Sequence, residues 1–372
     1  QINTFIGFNL AVCTVFALSV TTLFAFSEII FKKNRKFSFL LIFMVLLMGN
    51  MQPLMQIKNK FINSNYTEFF NVDFWSPSRV FPAESIGYEI SEFPFFSFLF
   101  SDLHPHMISI PIFILFINLL VAIFNNKAKS LNLSKFLISS GLVISLLFGT
   151  LWTTNTWTVP VIFILLNLFT FLFFKQLSEF AIIKSTIFSS IILFFSYLLF
   201  LPFHSTFNSP VSSFEISEFS TRFYDFIEIY FIFILIILIF FISSLRKEFI
   251  KKLKKDDYKD SLFIIFISGI FLIIFVENFK IENDIGRMNT FFKFHLQTWI
   301  LISISSCYLL YMAYKYNNVK FKKFLIYPLL SILVISGIIY PIFGTYDRIN
   351  DRFSKTNITL NGSRFLEENI YS

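Results

Sequence analysis

The sequence is short of charge, cysteine and glycine. Charged residues fill 15% of its 372 positions, against 55% hydrophobic, whereas a soluble domain carries roughly a quarter charged residues. A mean hydropathy of +0.70 agrees, and the two together exclude a soluble domain. The only cysteines, Cys13 and Cys307, lie in apolar runs. They give neither a disulfide framework nor a CxxC metal motif, and read as buried apolar side chains. GxGxxG, GxxxxGKS/T, GxSxG and HExxH are all missing, which argues against a dinucleotide or nucleotide-hydrolysing enzyme. No repeat of fixed period and no long Gly/Ser- or Pro-rich linker divides the chain, so a single membrane domain is the simplest parse.

What is present is apolar sequence in long runs. A spanning helix needs about 20 mostly apolar residues. Candidates fall at roughly 5–29, 37–55, 103–124, 136–152, 158–174, 185–203, 227–243, 261–276 and 294–314, with a tenth at 324–344 after Lys322 and Lys323. The fold expected is therefore all-α and polytopic, with about nine to ten transmembrane helices. Residues 1–345 are expected to form the membrane domain, and 346–372 to begin an extracytoplasmic segment. The chain opens at Gln1 inside an apolar stretch, without the basic start or small-residue cleavage site of a signal peptide, and reads as part of a longer protein. The 58 Phe residues fit lipid-facing and packing positions rather than a cofactor box.

The net charge of +8 reads as topology signal, not as a nucleic-acid surface. Loops at 32–36, 127–135, 175–184, 246–259 and 315–323 hold 20 of the 31 basic residues. The alternate loops hold or border 17 of the 23 acids. This alternation persists through every span and places the lysine-rich loops in the cytoplasm of a cell membrane. Segments 57–102, 149–158, 204–226, 277–293 and 345–372 then face outside.

Four polar constellations lie on that outer side. The densest runs from Glu89 through Glu92 to Asp102, His104 and His106. A charge at the mouth of a span needs a partner or a task. Pro94 and Pro105 predict a short interfacial helix between them, aiming Asp102, His104 and His106 into an outward cavity. Three readings fit: Asp102, His104 and His106 with Glu92 binding a divalent metal such as Mg or Mn, His and acid holding a phosphate and relaying protons, or hydrogen bonding that only fixes the helix break. The second constellation, Thr153 to Trp157, resembles an aromatic belt, with Asn155 the member best placed to do more. The third runs from Asp284 through Arg287 and Asn289 to Lys293 and Gln297. Asn289, Lys293 and Gln297 share one helical face, and Arg287 with Lys293 would make an anion site. Snorkelling of Lys293 is the plain alternative. In the fourth, Asp347 and Arg348 would close over a substrate or pair with each other.

These four stretches also carry a resemblance. EISEFPFFSFLFSDLHPHM (89–107) resembles the NEFPFFSFLxxDLHPH core of the Chlor-archaeal YYY membrane proteins. GTLWTTNTWTVP (149–160) resembles that family's NTWDxP, GRMNTFFKFHLQTW (286–299) its RMNTVFKFYxQxW, and YPIFGTYDRINDRF (340–353) its PxxATYDRxxxRF. NLAVCTVFAL and VLLMGNMQPLMQ fit its earlier helices. Ser91, Thr158 and His295 stand where that family has Asn, Asp and Tyr. The family is similar in turn to the GT-C superfamily of glycosyltransferases, which use polyprenyl-phosphate sugars. That resemblance implies a lipid-linked donor, an outward-facing site, and a catalytic carboxylate in an acidic loop expected upstream of Gln1.

The resulting expectation is a membrane glycosyltransferase working between the bilayer and an extracytoplasmic acceptor. Asp102 and Glu92 would be its acids. His104, His106, Asn155, Arg287, Asn289, Lys293, Asp284, Asp347 and Arg348 would contact substrate. The rivals are a transporter or flippase of an anionic or lipid-linked substrate, for which buried ionisable residues would mark the path, and a membrane assembly subunit without chemistry.

Overall fold

A computed structural model describes residues 3–63, 71–81, 89–125, 133–208, 213–352 and 359–363. Among these residues the chain is almost wholly helical. The helices are α1 (Thr4–Ile30), α2 (Arg35–Leu47), α3 (Gln52–Ile62), α4 (Pro94–Phe100), α5 (Pro105–Asn125), α6 (Leu133–Thr154) and α7 (Thr156–Lys175). They continue with α8 (Ala181–Leu199), α9 (Leu201–His204), α10 (Phe223–Ser244), α11 (Lys247–Leu253), α12 (Lys259–Asn278), α13 (Met288–Tyr316) and α14 (Val319–Arg352). Nine of those described are long and apolar enough to cross a membrane, and ten if the bent pair α2–α3 is one span. The protein is thus an all-α polytopic membrane protein. Lys127 and Lys129, and most of the segment beyond Arg352, lie outside the described residues.

The core is organised around α13, which is buried along its whole apolar window. A helix apolar on every face belongs inside a bundle, and α13 packs against α10, α12, α2 and the α6–α7 turn. At the periphery, α8 leaves Ile182, Ile183, Ile187 and Phe194 exposed, as lipid contact requires. One antiparallel strand pair, Phe214–Ile216 with Phe279–Ile281, ties the loop before α10 to the loop before α13.

The expected span at 37–55 is broken. The axis turns by 73° between α2 and α3, because Pro53 opens α3 and the last turn of α2 is a π-helix, Phe43–Leu47. Backbone groups freed inside a membrane need partners, and three of the groups here find one at a distance in sequence. The Met44 carbonyl accepts from Trp299 Nε1 (3.3 Å) and Ser303 Oγ (3.2 Å) on α13. The Gly49 N–H donates to Gly337 O, and the Met51 N–H to Glu228 O. Gly49 must be glycine: a Cβ there would stand 2.6 Å from Cβ of Tyr340 on α14, so the small residue permits the close crossing.

At the other end of the chain, α14 does not stop near 344. It passes through a π-helical stretch, Tyr340–Gly344, and runs on to Arg352. Asp347 and Arg348 therefore stand on the last turns of a helix.

Candidate functional site

The lysine-poor ends of the spans carry three separate polar groups. The first is built from the chain between Arg79 and α5. Pro94 starts α4, as a residue without an N–H can do in a first turn, and Ser101 ends it in the left-handed region (φ 63°). Pro105 then opens α5. The four-residue turn between the two helices carries Asp102 exposed and His104 half-buried, and His106 is buried in the first turn of α5.

Glu92, buried before α4, faces His106: its Oε2 is 3.7 Å from His106 Nε2 and accepts a hydrogen bond from Ser97 Oγ (3.1 Å). Arg79 Nη1 approaches Glu92 Oε1 at 3.9 Å, while its guanidinium lies over the Trp75 ring, 4.5 Å from its centre. His106 Nδ1 meets His104 Nδ1 at 2.7 Å. Both imidazoles pack on Phe292 of α13, and the Lys293 ammonium lies over the same ring at 4.6 Å. Among the described residues no hydrogen bond or ion pair reaches Lys293 Nζ.

Geometry orders the protons. The Glu92 carboxylate favours a proton on His106 Nε2. With one proton on each ring, His106 Nδ1 is then an acceptor and His104 must donate from Nδ1. That leaves a lone pair on His104 Nε2. Burial first, then the charge His106 carries when protonated and that of Lys293, push the His104 pKa below the ordinary imidazole value, against the opposing pull of Asp102 and Glu92. His104 is thus held neutral at neutral pH.

Asp102 faces solvent, and the two histidine Nδ1 atoms are turned on each other rather than on a common point. Among the described residues no three His, Cys, Asp or Glu side chains form a metal-holding group.

The second group is a knot around Arg287, whose side chain is fully buried. Its Nε donates to Glu89 Oε1 (2.6 Å), Nη1 to Val276 O and Glu277 Oε2 (both 2.9 Å), and Nη2 to Thr221 Oγ1 (2.7 Å). Every nitrogen of the guanidinium is engaged within the protein, so Arg287 does not share an anion site with Lys293 here. Asp284 caps α13 beside it, accepting from Asn289 N and Nδ2 and from Thr290 N and Oγ1. This satisfies first-turn N–H groups and occupies Asn289 as well.

The third group is at the end of α14. Asp347 Oδ2 accepts from Phe74 N (2.8 Å), and Arg348 Nη2 donates to Phe100 O (3.2 Å) while lying over Phe74. The pair pins the 71–81 loop and the end of α4 to the last helix instead of pairing with each other. Asn155 belongs nearer the first group: it is buried, and its Nδ2 lies 3.5 Å from Ser109 Oγ, one turn below His106 on α5. Gln297, one turn below Lys293, reaches Trp157 O.

Of the residues singled out in the sequence, Glu92, His104, His106 and Lys293 therefore form one cluster, with Asn155 beneath it and Asp102 at its rim. Arg79, which completes the cluster, carries no local motif; its one signal is a lone cation on the acid-rich side. Asp225 and Glu228, buried on α10, were also missed; they stand at the start of that span's apolar run without a neighbouring motif.

The helical bundle and its one-sided polar clusters define a polytopic membrane protein. Residues 1–266 and 253–302 match the model of the family described as "Uncharacterized membrane protein (DUF2298)", and the chain belongs to that family. No curated protein and no solved structure matches it.

Proposed function

We propose that this protein is a glycosyltransferase of the cytoplasmic membrane that moves a sugar from a polyprenyl-phosphate carrier to an extracytoplasmic acceptor. The reading rests on one observation: a half-buried lysine without an ionic partner stands beside a Glu92–His106–His104 chain at the lysine-poor ends of the spans. A half-buried cation that feels Glu92 at a distance but forms no ion pair with it favours an anionic ligand. A carrier lipid would bring its phosphate to that depth while its tail stayed in the bilayer.

In this reading the acceptor hydroxyl attacks the anomeric carbon as the bond from that carbon to the phosphate oxygen breaks. The hydroxyl proton passes to His104 Nε2, the basic lone pair of the chain. Polyprenyl phosphate departs with the bond's electrons, its charge met by Lys293 and Arg79. Glu92 orients His106, which orients His104. Asn155 contacts the sugar or acceptor, and Asp102 lines the entrance. Arg287, Glu89, Asp284 and Asn289 hold α13 so that Lys293 keeps its place. The resemblance to GT-C enzymes supports the substrate class.

The test is direct. The purified full-length protein is incubated with polyprenyl-phosphate sugars and envelope acceptors. Turnover that disappears in His104→Gln is expected; a protein that binds and turns over none of them overturns the reading. A second reading, transport of an anionic substrate, is favoured by the break at 48–51 and the buried Glu228 whose carbonyl binds it, since broken helices and buried acids mark transport paths. Substrate uptake into proteoliposomes, lost in Glu228→Gln, would establish it instead.

A further inference from the structure

The opposite, lysine-rich end of the molecule holds a cavity of about 830 Å3. Its apolar surface comes from Ile29 at the end of α1 and Ala122 near the end of α5; Asn125 and Gln176 add polar surface, and Val121, which also borders it, is fully buried. Its rim is the segment 254–260, from the loop after α11 into the first turn of α12. A smaller cavity of about 370 Å3 adjoins it along α11 and shares Lys254.

Charge in the rim does not cancel where it first seems to. Buried Asp256 accepts from Tyr308 (2.7 Å), Tyr316 (3.2 Å) and Lys315 (3.3 Å), all on α13. Asp257 pairs with Lys32 (3.6 Å), and Asp260 with Lys259 (3.4 Å). Each acid is matched by a cation, and Lys254 and Lys255 are left without a partner among the described residues. Asp256 also fixes where they stand, because it locks their loop onto the core helix. Lys247, Lys251 and Lys254 follow one another at i, i+4 and i+7, extending the same positive stripe along α11, whose Phe249 and Leu253 are buried against the protein.

We infer that this cavity binds the phosphate of an anionic phospholipid, with Lys254 and Lys255 on the headgroup and an acyl chain over Ile29 and Ala122. The ligand chemistry is a phosphate monoanion or dianion. The apolar surface of Ile29 and Ala122 at the ends of two spans assigns it to a lipid rather than to a free anion, since a basic pocket at helix ends with lipid access is suited to headgroups. The site lies at the far end of the spans from the His104 cluster and stands independently of the proposed transferase reaction.

Native mass spectrometry of the full chain, with phosphatidylglycerol, phosphatidylcholine and inorganic phosphate as probes, tests this. Phosphatidylglycerol should be retained in preference to phosphatidylcholine. The double variant Lys254→Gln/Lys255→Gln should bind it roughly thirtyfold more weakly, at about one lysine's electrostatic attraction each. Lys254→Arg/Lys255→Arg should restore retention, which separates lost charge from lost fold. Lys320→Gln/Lys323→Gln, which removes the same charge elsewhere on this side, should leave retention unchanged. Equal losses in the two Gln pairs, no preference for phosphatidylglycerol, or displacement of the lipid by millimolar inorganic phosphate would each overturn the assignment.

Discussion

The two charge clusters at the lysine-poor end differ in how tightly their cations are held. Arg287 has all its nitrogens within 2.6 to 2.9 Å of protein acceptors. The Glu92 cluster is loose: its contacts to Arg79 and His106 are 3.9 and 3.7 Å, and Lys293 stays unpaired. Both sets of residues look alike in sequence, as ionisable groups at span mouths. The difference teaches that how tightly a cation is held, more than burial, separates a structural knot from a site held open for a ligand. Short contacts to Arg287 fix the fold even though Glu89 Oε2 has no hydrogen bond, whereas a loosely held cation stores affinity for whatever completes it.

The largest expected effect comes from breaking the Arg287 knot. Arg287→Met leaves buried Glu89 and half-buried Glu277 without their cation, and should destabilise the protein by about 3–5 kcal/mol. Its recovery and melting temperature in detergent should fall sharply. Survival with an unchanged melting temperature would erase the distinction between the clusters.

The loose cluster should respond in function, not in folding. His104→Gln keeps the ring's approximate volume and should lower turnover by roughly a hundred- to ten-thousand-fold, the usual contribution of a general base, with the melting temperature held. Equal turnover would remove His104 from the chemistry. Lys293→Met should cost somewhat less, about a hundred- to a thousandfold as for one lost charge-stabilising donor, and should appear as weakened binding of the lipid phosphate too.

The smallest effect is on pH dependence. Because the His104 pKa is lowered, the neutral base persists as pH falls through the ordinary imidazole value near 6.5, and activity should decline only below that point. Glu92 pulls that pKa up. In Glu92→Gln the acid limb should therefore move to lower pH, alongside any loss of rate. A limb that moves to higher pH would show that Glu92 does not act on His104 as described.

The sequence made the spans legible because each is a long apolar run between loops of alternating charge. It hid the break at 48–51. The apolar run 37–55 continues through Met48 and Met51, and the groups that satisfy the bend, Trp299, Ser303, Gly337 and Glu228, lie far along the chain. It also put the end of the last span near 344, because Asp347, Arg348 and Asp351 read as a polar segment although the helix carries them on. Glu92, His104 and His106 could be grouped from local spacing, and Lys293 from its helical face with Gln297. The role of Arg287 could not, since Glu89 is 198 residues away, and no periodic pattern connects the two. Arg79 was invisible for the same reason: it reaches Glu92 through the fold alone.

The central claim is that the loose cluster holds a lipid-linked phosphate. Saturation binding of polyprenyl phosphate to the full-length protein in nanodiscs measures it most directly. The account predicts saturable binding to the wild type and, at an unchanged melting temperature, binding weakened at least roughly tenfold in Lys293→Met, the loss of about one charge-assisted contact. Equal binding by the two proteins, or no saturable binding by the wild type, would contradict it.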